Sequence, residues 1–316
     1  MTFIIVLLIA AAAVLVIAGA VYMVAFYSPN RTQNDDYVIA HTEQMDPLRD
    51  TIKDMIRTLN DIPFERVSVT SDDGLTLLGR YYRGDDGAPV VIGFHGYRGT
   101  PSRDFSGGTQ LYLAEGFHLL MIEERAHCGS EGHTITFGVK ERYDCLTWID
   151  YAMRRFGPDT PILLAGISMG AATVLMASGL PLPACVKGIL ADAPFTSPKA
   201  IICKVCGDVH VPAGLAWPFL WLGARVFGRF DPLAADAAEA VKHTKIPILL
   251  VHGEDDRFVP CDMGRAIAAA NPSMVELHTF PDAGHGLSFL EDRPRYERIV
   301  RHFFDRVLHT EETGIR

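Results

Sequence analysis

The feature that most constrains this chain is a five-residue turn, Gly166-Ile167-Ser168-Met169-Gly170, between an apolar run, Pro161 to Ala165, and a stretch of small residues with helical character. Glycine at both ends permits a sharp, strained reversal that lifts the serine between them out of the chain path. Such a turn has a use only at the carboxyl end of a strand that feeds a helix, so it demands alternating strands and helices around it. That alternation is present from residue 65 onward. Eight short β-rich runs are expected as strands: 65–70, 75–83, 90–94, 119–123, 162–165, 188–191, 246–251 and 275–280. Most are continuously apolar, as strands covered on both faces are. The first two flank Ser71-Asp72-Asp73-Gly74, a hairpin signal. Helices are expected at 103–115, 139–156, 169–178, 261–270 and 289–308. The fold class is therefore α/β, with an eight-stranded, mostly parallel sheet and helices on both faces.

Residues 194–241 interrupt the rhythm with two apolar helical pieces, near 201–205 and 213–227, and read as a small helical lid within a catalytic domain of 65–316. Ahead of that domain, 29–64 is a polar linker in which Met45, Leu48, Ile52, Met55 and Leu59 have the spacing of an amphipathic helix. Residues 1–28 contain an uncharged stretch from Phe3 to Tyr27, long enough to cross a bilayer as one helix. It exceeds the apolar region of a cleaved signal peptide and has no basic residue before it, so it reads as an uncleaved single-pass membrane anchor with Tyr22, Phe26 and Tyr27 at the interface. Arg31 on its C-terminal flank points the catalytic domain toward the cytoplasm. With a formal net charge of −9 and no local basic patch, no nucleic-acid partner is expected. Six cysteines do not make a disulfide framework in 316 residues, and Cys203-x-x-Cys206 lacks the second pair of a structural zinc site. They are expected as reduced thiols. Asn30-Arg31-Thr32 fits a glycosylation acceptor pattern by chance beside the anchor.

A serine hydroxyl becomes a nucleophile at neutral pH only with a base in hydrogen-bond reach and an acid that orients the base. His285, in the flexible turn Asp282-Ala283-Gly284-His285-Gly286 after the last strand, stands where that base belongs. The turn after the strand at 246–251 offers three acids, Glu254, Asp255 and Asp256. Asp256, four residues after His252 in an H-G-x-x-D-x-x-V-P run, is the choice, with Asp192 at the end of the sixth strand as the outside candidate. Two backbone N–H groups are needed for charge developing on a carbonyl oxygen. Those of Met169, directly after the serine, and Tyr97, in the loop Phe94-His95-Gly96-Tyr97-Arg98-Gly99, are expected to supply them. His95 is read as bracing its loop, and Glu124 to Gly132 as a loop held by its own polar side chains. Neither metal nor organic cofactor is required. Leu215, Trp217, Phe219, Leu220 and Trp221 either wall the acyl pocket from the lid or pack the lid onto the core.

Together these motifs resemble the α/β-hydrolase superfamily, over nearly everything from 65 to 309. Within it, Glu124 to Gly132, Phe137 to Asp144 and Phe230-Asp231-Pro232-Leu233 look like a membrane-anchored bacterial branch of serine hydrolases of the esterase and lipase type. The resemblance implies Ser168, Asp256 and His285 as a triad, Tyr97 and Met169 as oxyanion donors, and a small-molecule acyl ester, lipid-like in a chain with an apolar lid beside an anchor, as substrate. Cys128 departs from the glycine or small residue of many relatives. The same triad also serves acyltransferases and peptidases, and a non-catalytic membrane-tethered protein would carry it broken.

Overall fold

A computed structural model describes residues 1–28 and 36–309; Arg31 and the Asn30-Arg31-Thr32 triplet lie outside the described residues. One helix, α1 (Thr2–Ala25), precedes α2 (Arg49–Asn60), and the hairpin β1 (Glu65–Thr70) and β2 (Thr76–Tyr82) opens the sheet. Then follow β3 (Val90–Phe94), α3 (Pro101–Phe105), α4 (Gly108–Ala114), β4 (His118–Glu123), α5 (Glu141–Phe156), β5 (Ile162–Ile167), α6 (Met169–Ala177) and β6 (Val186–Asp192). After β6 come α7 (Pro198–Asp208), α8 (Ala213–Val226) and α9 (Ala237–Val241). The chain ends with β7 (Ile248–Gly253), α10 (Cys261–Ala270), β8 (Val275–Phe280), α11 (Ser288–Glu291) and α12 (Arg293–His309).

The eight strands form one sheet in the order β1-β2-β4-β3-β5-β6-β7-β8. Only β1 with β2 and β2 with β4 pair antiparallel; the remaining pairs are parallel. Side chains alternate across the central strands. Val90, Ile92, Leu120, Ile122, Ile162 and Leu164 enter one core with Trp148 of α5 and the small residues of α6. Val91, Leu119, Met121, Leu163 and Ala165 enter a second core with Phe105, Tyr112, Phe303 and Phe304. Both faces are thus covered, which is why these strands read as unbroken apolar runs.

Two expected helices are each broken in two. The stretch at 103–115 divides at Gly107, where an added Cβ would lie 2.6 Å from the Phe289 ring and 2.9 Å from Met55. The stretch at 289–308 breaks at Asp292, since Pro294 has no N–H to bond back to Leu290 O and carry α11 on. The side chains of α1 are exposed from Thr2 to Ile17, and its last two turns enter the domain. Ala18, Tyr22 and the following Phe26 are buried, and Phe26 meets Phe137 and Phe230 edge-on at 5.8 and 5.3 Å. Tyr27 pairs with Thr134 in a single β-bridge.

Candidate active site

β5 delivers the Gly166–Gly170 turn to the carboxyl edge of the sheet. A Cβ on Gly166 would lie 2.4 Å from Gly170 carbonyl carbon, and one on Gly170 would lie 2.0 Å from the Phe94 oxygen of β3. Both glycines are therefore steric requirements of a helix starting hard against its own strand. Ser168 takes the bend at φ 55°, ψ −114°, a conformation that side chains rarely adopt, and its N–H donates to Asp192 O at 2.8 Å. Strain of this kind costs on the order of 1–3 kcal/mol and persists only where surrounding structure enforces it.

The loop after β8 carries His285 to the same edge. Ser168 Oγ and His285 Nε2 are 2.9 Å apart, and His285 Nδ1 is 2.7 Å from Asp256 Oδ2. A proton on Nδ1 lets the ring donate to the carboxylate and accept from the serine. Asp256 is fixed from its other side, since Oδ1 accepts from Phe258 N and Val259 N at 2.9 and 2.8 Å. Burial pushes its carboxyl up, but the hydrogen bonds from His252 and His285 outweigh it and hold the group well below the usual carboxylate range. The neighbouring acids face elsewhere. Glu254 accepts from Thr279 Oγ1 at 2.6 Å, and Asp255 accepts from Gln44 Nε2 at 2.9 Å. Asp192 lines the same cavity and accepts from the Tyr296 hydroxyl at 3.1 Å; its burial pushes it up to about 6 against that bond.

Tyr97, in the loop after β3, and Met169, the first residue of α6, flank the serine. Among the described residues, neither of their backbone N–H groups has a hydrogen-bond partner, whereas Gly96 N is held by Asp104 Oδ2 at 2.7 Å. Behind this loop His95 donates from Nδ1 to Gly96 O and accepts at Nε2 from Glu124 N. His127 likewise donates to Arg125 O and accepts from Arg98 N at 3.0 Å. Burial lowers both rings, to about 4 and about 3, so each is neutral and serves as a donor and acceptor brace. Arg125, doubly bonded to Asp144 and to Asp73, pins the loop that carries His127. Among the described residues no group of three His, Cys, Asp or Glu is placed to hold a metal ion, and none of the six cysteines is joined in a disulfide.

A cavity of about 660 Å³ opens onto Ser168 and His285. Here one expectation is corrected. Leu215, Trp217, Phe219 and Trp221 do not line it. Helix α8 lies instead against α1, so closely that a Cβ on Gly223 would lie 2.5 Å from Ala18 O. Trp221 Nε1 is turned away to Asp231 at 3.2 Å. The wall comes from residues 38–45 and from Ile52 and Met55 of α2, which sequence reasoning assigned to a linker without chemistry. This strap is tied down by Arg103 Nη1 to Val38 O at 3.0 Å, Gln44 to Asp255, and Arg257 to Glu43 at 2.9 Å. Its amphipathic spacing announced a packed face, but nothing local says what that face covers.

The fold and this edge define a serine hydrolase of the α/β-hydrolase type. Residues 109–311 match the prolyl oligopeptidase family, and the chain belongs to it. Among curated relatives, the uncharacterized protein YqkD of Bacillus subtilis is 22% identical over 199 residues, covering 62% of this chain and 64% of that protein. Lysophosphatidylserine lipase ABHD12 of Rattus norvegicus is 26% identical over 244 residues, covering 68% of this chain and 55% of its own. The chain thus spans less than two thirds of the length of these relatives. A Pyrococcus furiosus esterase superposes with a TM-score of 0.64 at 22% identity, over 89% of this chain and 98% of that one. The acylaminoacyl peptidase of Pyrococcus horikoshii superposes at 0.61 with 20% identity, over 83% and 44%. These likenesses concern the fold.

Proposed function

We propose that the protein is a membrane-anchored serine hydrolase that cleaves carboxylic ester or thioester bonds through an acyl-Ser168 intermediate. The observation that carries this reading is the continuous chain Ser168–His285–Asp256, with bonds of 2.9 and 2.7 Å, at the mouth of a largely apolar cavity. His285 Nε2 takes the hydroxyl proton as Ser168 Oγ bonds to the substrate carbonyl carbon. The carbonyl oxygen becomes an oxyanion between the N–H groups of Tyr97 and Met169. Asp256 stabilises the imidazolium, which returns its proton to the departing alkoxide or thiolate as the acyl-enzyme forms. Water, deprotonated by the same ring, then releases the acid and frees the serine.

Phe105, Phe289, Leu290, Ile52 and Met55 line the cavity, which suits an alkyl chain and supports a lipid-like ester. The lipase among the curated relatives points the same way. Amide cleavage is the second reading, favoured by the family to which the chain belongs. The anchor reading gains support from packing. Cleavage just past Phe26 would remove Tyr22 and Phe26 from the core, so a mature form lacking them would keep a hole beside Phe137. Fluorophosphonate labelling of the full chain and of Ser168→Ala, with p-nitrophenyl esters of graded length and matched amides, tests the reading. Labelling and ester turnover lost together in the variant are expected; folded wild type that neither labels nor turns over an ester refutes it.

A further inference from the structure

The apolar residues of α8 do not face the cavity, and the chain from Val211 to Ala224 carries no charged residue. Some of them face solvent outright: Leu215 is 66% exposed, and Val209 and Val211 in the preceding turn are 62% and 41% exposed. What covers them follows from how α8 meets α1. Gly223 packs on Ala18 and Tyr22, and Phe227 on Gly19 and Tyr22, so α8 meets α1 at residues 18–22, directly after the stretch whose side chains are all exposed. That exposed stretch, Thr2 to Ile17, rises about 24 Å at about 1.5 Å per residue. A hydrocarbon core is about 30 Å thick. A bilayer spanned by α1 thus reaches the level at which α8 packs.

We infer that the exposed start of α8 and the turn before it, around Val209, Val211 and Leu215, form a membrane-docking surface that inserts at the boundary of headgroups and acyl chains beside α1. The partner is a lipid bilayer, and the inference rests on α1 being a membrane span. Close approach through Ala18, Gly19 and Gly223 is the small-residue packing that helices use within lipid. Charge limits the depth. Lys199, over the Trp217 ring, and Lys204 and Asp208, paired at 2.7 Å where α7 ends, belong among headgroups, as do Arg225 in the last turn of α8 and Arg229 beyond it. Tyr97 and Arg98, both lining the cavity, bond to Ala25 O and Val24 O at 2.9 Å, so the catalytic edge is held at the membrane end of α1.

Two of the three tryptophans, Trp217 and Trp221, lie on α8, and Trp148 is fully buried in the core. Intrinsic fluorescence therefore reports on the helix directly. The full chain is reconstituted into phosphatidylcholine vesicles carrying bromine either near the headgroup or deep in the acyl chain. A Trp217→Phe/Trp221→Phe variant gives the Trp148 background, and the same variant with Leu8→Trp reports on the span. The α8 emission is expected to fall on the order of twofold with the shallow bromine, and less with the deep one. Quenching of the Leu8→Trp reporter without quenching of the α8 emission overturns the inference and leaves the span intact. Quenching of neither overturns both. As a second readout, Leu215→Glu is expected to lose several-fold activity toward an ester embedded in vesicles while keeping that toward a soluble one; equal effects on both count against docking.

Discussion

Replacing Ser168 by glycine removes the one side-chain carbon that the active-site turn holds in a left-handed conformation, and the fold is expected to gain stability as catalysis is lost. The comparison that isolates this effect is Ser168→Gly against Ser168→Ala, because both lack the hydroxyl and its 2.9 Å bond to His285 and differ only in Cβ. At φ 55°, ψ −114° a Cβ-bearing residue is strained by on the order of 1–3 kcal/mol, which glycine escapes. Glycine also leaves a freer unfolded chain, at a cost of roughly 0.5–1 kcal/mol relative to alanine. The net is about 1 kcal/mol in favour of glycine, or roughly 2 °C in Tm for a domain of this size. Urea unfolding in detergent micelles, followed by tryptophan emission, reads the difference as a shift in midpoint at constant slope. Ala266→Gly, at an exposed position within α10, measures the ordinary glycine cost in the same protein. If the alanine variant proves as stable as the glycine variant or more so, the turn is not strained and the physical account given for Gly166 and Gly170 fails with it.

Asp256→Asn keeps the shape of the turn but favours the wrong histidine tautomer, and kcat is expected to fall roughly 10⁴-fold in ester assays. Asp192 titrates near 6 in the fold against an ordinary 3.8, so protonation favours the folded state and that stability is lost as pH rises from about 4 through 6. Asp192→Asn is expected to gain on wild type by about 3 kcal/mol between pH 4 and 7 in denaturation titrations; parallel curves would contradict the burial argument. Met55→Trp narrows the cavity wall and is expected to cut kcat/KM for the longest acyl chains by on the order of tenfold while sparing acetate esters. Phe26→Ala, which empties a fully buried site, is expected to destabilise the catalytic domain by about 3–5 kcal/mol, measured by the loss of esterase activity in urea.

All eight strands occur within a few residues of their sequence positions, because burial on both faces leaves a one-dimensional signature. The sharp turn at Ser168 was equally legible, since its two glycines answer to clashes with residues four positions away or on the adjacent strand. What escaped was long-range. Nothing in Ile52 or Met55 tells that their helix covers the cavity, and nothing in Leu215 or Trp217 tells that theirs does not. An apolar helical face looks the same in sequence whether it meets a substrate, a neighbouring helix or a membrane. The tie from Arg98 to the carbonyls of α1 joins segments 74 residues apart and had no local sign at all.

The burial of Phe26 bears on how the protein is made. During synthesis α1 emerges well before the site that receives its end, which is built from Ile135, Phe137 and Phe230, and Tyr22 bonds to Thr134, 112 residues downstream. It can be locked into place only after those later residues have been made. Were the helix anchored in a bilayer, as proposed above, the core would close at the membrane surface. A copy whose helix failed to insert would present a long apolar rod joined to its own folded core, a marked substrate for chaperones and proteases. On the proposed reading of α1 as an anchor, completing the hydrolase core follows delivery to the membrane.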